Sequence, residues 1–410
     1  MRFRSPAAAS AGIALIALAC AEELPAPIEL VANGDAGGVC VCELAHATGT
    51  CATGACVVDS CEANYGNCDL IDKNGCEQPL NVEGHCGACQ RSCLGTACVE
   101  SACEAATLVS GLTDPWGVLV DGVSIYFSDF TDGIIDRASK LDGSGRTSLA
   151  NGYEATWFMV MDGGYIYFTT RGGNTVERVL VDGSEPAETF LSPGVKTSGL
   201  AIDANNIYFS QSELGAFVWR AAKKKNSLAV RMVTEQDNPV GVAVDDTNAY
   251  WGSGSNIFGN GEVRRVAKNI KSDTVPGQKI ALGQGEVRGI LVDENMVYWT
   301  SIERKSDASG AKSVGRLTRY NTVTSGLEVL AITEPAEELT VDEKYVYWTA
   351  SDDSVGRVYR LEKDYVPAAG PPPLMKVFSQ VGAKPHGIAA DATALYVTER
   401  GQGRILKLAK

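Results

Sequence analysis

The sequence predicts an all-β fold in which a small disulfide-rich module precedes a seven-bladed β-propeller. Two observations predict this division. A motif of Asp and Tyr recurs seven times between residues 105 and 410, and twelve of the 13 cysteines lie between Cys40 and Cys103. A third observation, an apolar run close to Met1, places an export signal in front of both parts.

Length and charge limit the possible functions. At roughly 150 residues per domain, a chain of 410 residues allows two or three domains. Hydrophobic residues make up 45% of the chain, which is enough to build packed cores. Asp and Glu outnumber Lys and Arg by 50 to 36, so the net charge is −14. We expect no nucleic-acid partner, because binding a phosphate backbone needs clustered positive charge.

Residues 1–19 are typical of a signal peptide. Arg2 and Arg4 precede an apolar run over residues 7–19 that is too short to span a bilayer as a lasting helix. Residues 17–19, Ala-Leu-Ala, fit ordinary signal-peptidase cleavage. Followed by Cys20, they also resemble the bacterial lipobox, which implies that Cys20 is acylated and becomes the mature N-terminus. Residues 20–39, rich in Pro, Ala, Gly and acids, then read as a tether.

Cysteine parity favours lipidation over a spare or intermolecular thiol at Cys20. Thirteen is an odd number, and setting Cys20 aside leaves twelve cysteines that can form six bridges. We therefore expect a location in the bacterial cell envelope, as an outer-membrane lipoprotein or a secreted protein. Contact with the membrane is expected through the lipid anchor only, since no later segment reaches the roughly 20 apolar residues of a membrane span.

Residues 40–104 form the predicted disulfide-rich module. A segment this short with few large apolar side chains cannot bury enough surface to fold alone, and each disulfide contributes about 2–4 kcal/mol. Zinc binding by cysteine pairs and calcium binding near Asp69 are weaker alternatives, because export and an even cysteine count favour bridges. The cysteines predicted to form disulfides are Cys40, Cys42, Cys51, Cys56, Cys61, Cys68, Cys76, Cys86, Cys89, Cys93, Cys98 and Cys103.

Part of this module resembles a known sequence pattern. Cys68-Asp69, residues 74–77 (Asn-Gly-Cys-Glu), Leu80 and the run from Cys86 to Cys93 are similar to a Cys-rich module of predicted exported proteins of myxobacteria. The resemblance covers about residues 61–103. It implies a stalk or spacer at a cell surface and no catalytic residues.

Residues 105–410 contain the seven repeats. Each copy has an apolar residue, Asp, four further residues and Tyr, usually followed by an aromatic residue. In the first copy, strands are predicted over residues 117–121, 124–128, 133–141 and 146–150, with a hairpin turn at Asp121-Gly122. Four antiparallel strands repeated every 41 to 49 residues predict a β-propeller. The repeat Asp residues are Asp121, Asp162, Asp203, Asp245, Asp293, Asp342 and Asp391.

The two ends of this region predict how the ring closes. The last copy supplies only three strands, over residues 387–391, 394–398 and 403–408. Residues 106–110 resemble residues 375–379, the outer strand that precedes the last copy. We therefore predict that residues 106–110 complete the last blade and remove its exposed edge.

Two of the motifs carry a family resemblance. Residues 298–300 and 347–349, both Tyr-Trp-Thr, resemble the YWTD repeats of lipoprotein-receptor propellers and, more loosely, NHL-type propellers. The pattern departs from that family, which has six blades, and only residues 126–129 approach a closing Asp. The resemblance implies the architecture, with partners as analogy only.

One position in each repeat indicates a site. The residue just before the innermost strand should face the axial mouth of the ring, where convergent polar groups beside aromatic walls form a small-ligand pocket. We predict ligand binding by Trp116, Trp157, Arg288, Glu337 and His386. The seven residues at this position are Trp116, Trp157, Ser198, Val240, Arg288, Glu337 and His386.

No catalytic residue is firm. His386 is a candidate base or metal ligand, with Glu337 orienting it and Arg288 holding an anion. Residues 384–387, Lys-Pro-His-Gly, also resemble the catalytic histidine segment of seven-bladed streptogramin-type lyases. In the simpler interpretation, His386 hydrogen-bonds a loop and the axial polar groups bind water. We expect no metal site and no cofactor, with a divalent cation possible only in an enzyme.

The leading hypothesis is therefore a surface-anchored, extracytoplasmic binding or scaffold lipoprotein whose propeller face recognises a protein or a small ligand. The alternative is an exported propeller enzyme, lactonase- or lyase-like, that uses His386, Glu337 and Arg288. A purely structural envelope component is a third possibility.

Overall fold

The structure is a computed structural model that describes residues 42–52, 54–234, 236–254, 260–270, 275–304 and 313–410. The predicted signal peptide, the tether, Cys20 and Cys40 lie outside the described residues.

The N-terminal module is built from short hairpins held by disulfides. Its three hairpins pair β1 with β2, β3 with β4 and β5 with β6, and a 3-10 helix covers Asp72–Asn74. The strands are β1 Ala47–Ala52, β2 Ala55–Cys61, β3 Tyr65–Gly66, β4 Gln78–Pro79, β5 Cys98–Val99 and β6 Ala102–Cys103.

Disulfides join the module as the sequence predicts. Cys51 is also disulfide-bonded. The spacing of two cysteine pairs, Cys40/Cys42 and Cys86/Cys89, would suit zinc. Cys86 and Cys89 belong to two different bridges, which leaves neither sulfur as a thiolate ligand. The pairings among described cysteines are Cys42–Cys56, Cys61–Cys76, Cys68–Cys89, Cys86–Cys98 and Cys93–Cys103.

Within the described residues, the rest of the chain forms seven four-stranded antiparallel sheets, which confirms the seven-bladed propeller. The first strands of neighbouring blades contact one another around the whole ring. The strands of blades 1 to 3 are β8 Pro115–Val120, β9 Ser124–Asp129, β10 Ile134–Ser139, β11 Thr147–Ala150, β12 Thr156–Asp162, β13 Tyr165–Thr170, β14 Thr175–Leu180, β15 Glu188–Leu191, β16 Thr197–Ile202, β17 Asn206–Gln211, β19 Val218–Ala222 and β20 Val230–Arg231.

Blades 4 to 7 repeat this order. A two-stranded sheet pairs β18 (Leu214–Ala216), in the connection between β17 and β19, with β21 (Gln236–Asp237), just before β22. The 3-10 helix Pro367–Ala369 precedes the last strand of blade 6. The strands of blades 4 to 7 are β22 Pro239–Val244, β23 Asn248–Ser253, β24 Val263–Ala267, β25 Gln278–Ala281, β26 Glu286–Asp293, β27 Met296–Glu303, β28 Val314–Asn321, β29 Leu327–Thr333, β30 Ala336–Val341, β31 Tyr345–Ser351, β32 Val355–Glu362, β33 Met375–Val381, β34 Pro385–Ala390, β35 Ala394–Glu399, β36 Arg404–Ala409 and β7 Ala106–Val109.

The ring closes through the strand that follows the module. β7 pairs antiparallel with β36, with Ala106 opposite Lys407 and Val109 opposite Ile405. The predicted completion of the last blade by residues 106–110 is therefore confirmed. Because the first and last propeller strands share one sheet, neither presents an exposed edge at the junction.

The repeat Asp residues hold tight turns. In blade 1, Asp121 Oδ1 accepts backbone N–H groups of Val123 and Ser124, and Asp121 Oδ2 accepts the Tyr126 hydroxyl at 2.8 Å. The same Asp–Tyr hydrogen bond recurs at Asp203, Asp245, Asp342 and Asp391. The motif is thus structural, as its presence in every copy indicates.

Five repeat Asp residues also join neighbouring blades. Each pairs with a lysine at the end of the third strand of the next blade, so the ion pairs bridge blade interfaces. Residues 223–225, Lys-Lys-Lys, predict a solvated hairpin tip from sequence, but Lys223 lies in one of these pairs. The pairs are Lys140–Asp391 (2.8 Å), Lys223–Asp162 (2.9 Å), Lys268–Asp203 (2.8 Å), Lys363–Asp293 (2.8 Å) and Lys410–Asp342 (2.7 Å).

Candidate functional site

A β-bulge near the start of each innermost strand positions the axial residues. In blade 1, Pro115 pairs with Asp129 and Val118 pairs with Phe127, which leaves Trp116 and Gly117 outside the ladder. The register shifts at the equivalent place in the other six blades. The seven predicted axial residues all occupy the first bulged position.

Buried hydroxyl groups hold several of these bulges in place. Thr398 Oγ1 accepts the N–H of Gly387 at 2.7 Å and donates to the carbonyl of Trp116 in blade 1 at 2.9 Å. Thr349 likewise donates to the carbonyl of His386 in blade 7 at 2.7 Å. Each hydroxyl satisfies a bulge N–H of its own blade and an axial carbonyl of the next. The Thr of the Tyr-Trp-Thr motif is therefore a link between blades.

The second bulged position is narrow. A Cβ atom on Gly387 would lie 2.3 Å from the Trp116 carbonyl oxygen, and one on Gly199 would lie 2.1 Å from the Val240 carbonyl oxygen. Glycine occupies this position in five of the seven repeats. The two exceptions are Phe158 and Glu338, which place side chains where the other blades have none.

Three predicted residues meet at the mouth of the axial channel. The ring centroids of Trp116 and His386 are 4.1 Å apart, and those of Trp116 and Trp157 are 5.9 Å apart in an edge-on arrangement. The Arg400 guanidinium lies 4.3 Å from the Trp116 ring, and that of Arg171 lies 4.8 Å from the Trp157 ring. The mouth therefore combines aromatic rings with stacked cations.

His386 is held as a neutral imidazole. His386 is 5% exposed, and its Nδ1 atom is 3.3 Å from the Trp116 carbonyl oxygen. Because a carbonyl oxygen can only accept, Nδ1 carries the proton and Nε2 carries the lone pair. Burial, followed by the nearby Arg400 and Arg288, lowers the pKa of His386 to about 3.

Arg288 and Glu337 form an adjoining ion-pair network. Arg288 Nε lies 3.5 Å from Glu337 Oε2, and Arg288 Nη2 lies 3.0 Å from Glu286 Oε1. Burial raises the pKa of Glu337 although Arg288 opposes that shift. The hydrogen bond that orients His386 comes from the Trp116 backbone, whereas Glu337 pairs with Arg288.

The three predicted residues that meet at the mouth help to line a cavity of about 150 Å³. Its walls include Val118, Met159 and Ile388, and its polar lining side chains are Glu338 and His386, beside the indoles of two Trp residues. Burial, and then the neighbouring Glu337, raise the pKa of Glu338 to about 7, against the effect of Arg288. Sequence reasoning missed Glu338, although its departure from the glycine of five other repeats was a usable signal.

Fold and site together define a seven-bladed β-propeller with an axial pocket, carried on a disulfide-rich module. The disulfides are typical of an exported protein. No helix among the described residues is long and apolar enough to cross a bilayer.

Comparison with known proteins establishes the fold alone. No protein-family model and no curated protein matches the chain. Among solved structures, the chain is similar to virginiamycin B lyase from Staphylococcus aureus, with 14% identity, a TM-score of 0.56, and coverage of 75% of this chain and 98% of the lyase. A catalytically inactive histidine-to-alanine variant of that lyase with quinupristin matches at 15% identity and the same TM-score.

Two other similar structures have different functions. Hydrazine synthase from Kuenenia stuttgartiensis has 14% identity, a TM-score of 0.62, and coverage of 74% of this chain and 97% of that one. The WD40 propeller domain of Doa1 has 13% identity, a TM-score of 0.53, and coverage of 75% and 97%. Enzymes and a WD40 domain thus share this architecture, so the function must be argued from the site.

Proposed function

We propose that this protein is an exported recognition protein that binds a small ligand in its axial cavity without turning it over. The observation that supports the proposal is the cavity of about 150 Å³ that Trp116, Trp157 and His386 help to line. Apolar walls with a few convergent polar groups are the usual form of a ligand pocket.

The state of His386 favours binding over catalysis. A general base works best when its pKa lies near the operating pH. The pKa of His386 is lowered to about 3, chiefly by burial, so the imidazole is a weak base at neutral pH. In addition, Glu337 pairs with Arg288 at 3.5 Å. The lyase-like or lactonase-like alternative requires His386 to act as base or metal ligand.

We further propose that acylated Cys20 anchors the protein to the bacterial envelope. Arg91 of the module donates hydrogen bonds to the carbonyls of Lys410 (2.9 Å) and Ala409 (3.4 Å), at the end of β36. The axial residues lie at the opposite end of the blades. In blade 7, Pro385 at the start of β34 pairs with Glu399 at the end of β35, whereas Ala409 at the end of β36 pairs with Ala394 at the start of β35. This arrangement supports an anchor on one face of the ring and a ligand mouth on the other.

A fragment screen tests the binding function. Saturation-transfer NMR would compare benzene-sized fragments on the mature chain and on Trp157→Ala. We expect fragments that bind the wild type and are lost in the variant, and that remain chemically unchanged after prolonged incubation. Conversion of a fragment by the wild type that stops in His386→Ala would contradict the non-catalytic proposal. Fragments that bind both proteins equally would place the site elsewhere.

Metabolic labelling tests the anchor. The full chain, expressed in a bacterium with lipoprotein-processing enzymes, should incorporate radiolabelled palmitate and partition into detergent. Cys20→Ser should abolish the labelling and the partitioning, because it removes the thiol that we propose as the acyl acceptor. Labelling that survives Cys20→Ser would overturn the proposed anchor.

A further inference from the structure

The axial cavity offers one kind of hydrogen-bonding group. The Glu338 carboxyl has no hydrogen-bond or ion-pair partner among the described residues, whereas the Glu338 backbone hydrogen-bonds the Thr349 hydroxyl. In His386 the protonated Nδ1 donates to the Trp116 carbonyl, so Nε2 is left as an acceptor. An ionised Glu338 is also an acceptor only. Above about pH 7, where Glu338 is mostly ionised, a ligand that satisfies this cavity must therefore bring hydrogen-bond donors.

The remaining walls define the body of the ligand. Val118, Leu119, Met159 and Ile388 line the cavity with apolar atoms, and Phe158 adds an aromatic ring. A lysozyme cavity of about 150 Å³ with apolar walls binds benzene, which sets the scale of what fits here. A donor group on a small apolar body is the matching shape.

The charge around Glu338 favours a cation over a neutral donor. Glu337 lies beside it on β30, Arg288 faces it from blade 5, and Arg400 near blade 1 is neutralised by Asp114. Arg288 is itself paired with Glu286 at 3.0 Å. Because Arg288 and Arg400 are engaged with other carboxylates, an ionised Glu338 has no cation of its own, and a cationic ligand would supply one.

We propose that the axial cavity binds a small organic ammonium ion, with its ammonium group on the Glu338 carboxylate and its apolar body against Met159 and Ile388. The inference rests on the proposed function and names the ligand class of the same site. Gly289 makes room for this arrangement, because a Cβ atom there would lie 2.9 Å from Glu338 Oε2.

Calorimetric titration of the mature chain with benzylamine and with benzyl alcohol, its neutral counterpart, tests the proposal. At pH 8 we expect benzylamine to bind at least about tenfold more tightly, since its positive charge adds an ion-pair attraction to the hydrogen bond that both probes can donate to the carboxylate. The preference should shrink as the pH falls to 6, because Glu338, with a pKa of about 7, then takes up a proton. The charged groups that act on it are Glu337 and Arg288, and the neutral His386 lines the same cavity.

Glu338→Gln should abolish the preference for the amine while benzyl alcohol still binds. Glu213→Gln is the matched control. Glu213 does not line the cavity and instead forms an ion pair with Lys196 (3.0 Å), so this variant should keep the preference for the amine. Equal affinity of the wild type for both probes, or a preference that survives Glu338→Gln, would overturn the amine proposal. If neutral fragments bind and amines show no advantage, only this inference fails. If nothing binds the cavity, the proposed function fails with it.

Discussion

Thr398→Val should weaken the ring at the junction of its first and last blades. The side chain of Thr398 is fully buried, and its hydroxyl joins the Gly387 N–H (2.7 Å) to the Trp116 carbonyl (2.9 Å). Valine keeps the shape and the β-branch but has no hydrogen-bonding group.

The size of the effect follows from the partners left behind. Gly387 lies in the bulge, so its N–H does not pair with the neighbouring strand. In Thr398→Val this N–H loses the hydroxyl that accepts its hydrogen bond. Within the part of the chain that the structure describes, the Trp116 carbonyl keeps only the His386 Nδ1 contact at 3.3 Å. A buried polar group without a partner costs about 1–3 kcal/mol, so we expect a loss of about 2–3 kcal/mol in the free energy of unfolding.

Urea unfolding followed by tryptophan fluorescence would measure this loss on the mature chain. Thr300→Val, which removes the equivalent hydroxyl between Gly289 and Glu337, should show a similar loss. Thr147→Val is the control, because Thr147 is exposed on β11. A loss below about 0.5 kcal/mol for Thr398→Val, the range of ordinary surface substitutions, would refute the proposed role of the hydroxyl links.

Three further predictions concern the repeat Asp residues, the disulfides and the contact between the module and the propeller. Burial alone would raise the pKa of Asp391, but Lys140, backbone N–H groups and the Tyr396 hydroxyl outweigh it and lower the pKa. The contribution of Asp391 to the free energy of unfolding is therefore present above about pH 4 and lost as the pH falls further. Acid unfolding monitored by circular dichroism would detect this loss. Reduction should unfold the module and leave the β-signal of the propeller, which contains no cysteine. Unfolding of both parts together would contradict this. Arg91→Ala should speed amide hydrogen exchange in residues 404–410, and unchanged exchange would argue against docking by Arg91.

Much of the fold could be predicted because its signals are local and repeated. An Asp that caps a turn and bonds a Tyr five residues later, as Asp121 bonds Tyr126, leaves the same spacing in each copy. Ring closure was readable because residues 106–110 resemble the outer strand of the preceding blade. Both features depend on residues close in sequence or on comparison between repeats.

The site was only partly predictable, because its contacts join distant residues. Alignment of the repeats placed Trp116, Trp157 and His386 at the mouth, but the bond between His386 and the Trp116 carbonyl spans 270 positions. Arg91 reaches Lys410 across 319 positions. Glu338 escaped notice because its importance depends on a bulge that turns two successive residues out of the ladder.

A crystal structure of the mature chain soaked with benzylamine would test the central claim most directly. We predict density for the ligand in the axial cavity, with its nitrogen within hydrogen-bonding distance of the Glu338 carboxylate and its ring beside Met159. Density found only on the outer strands or on the module, with the axial cavity holding solvent alone, would contradict the claim that this cavity is the binding site.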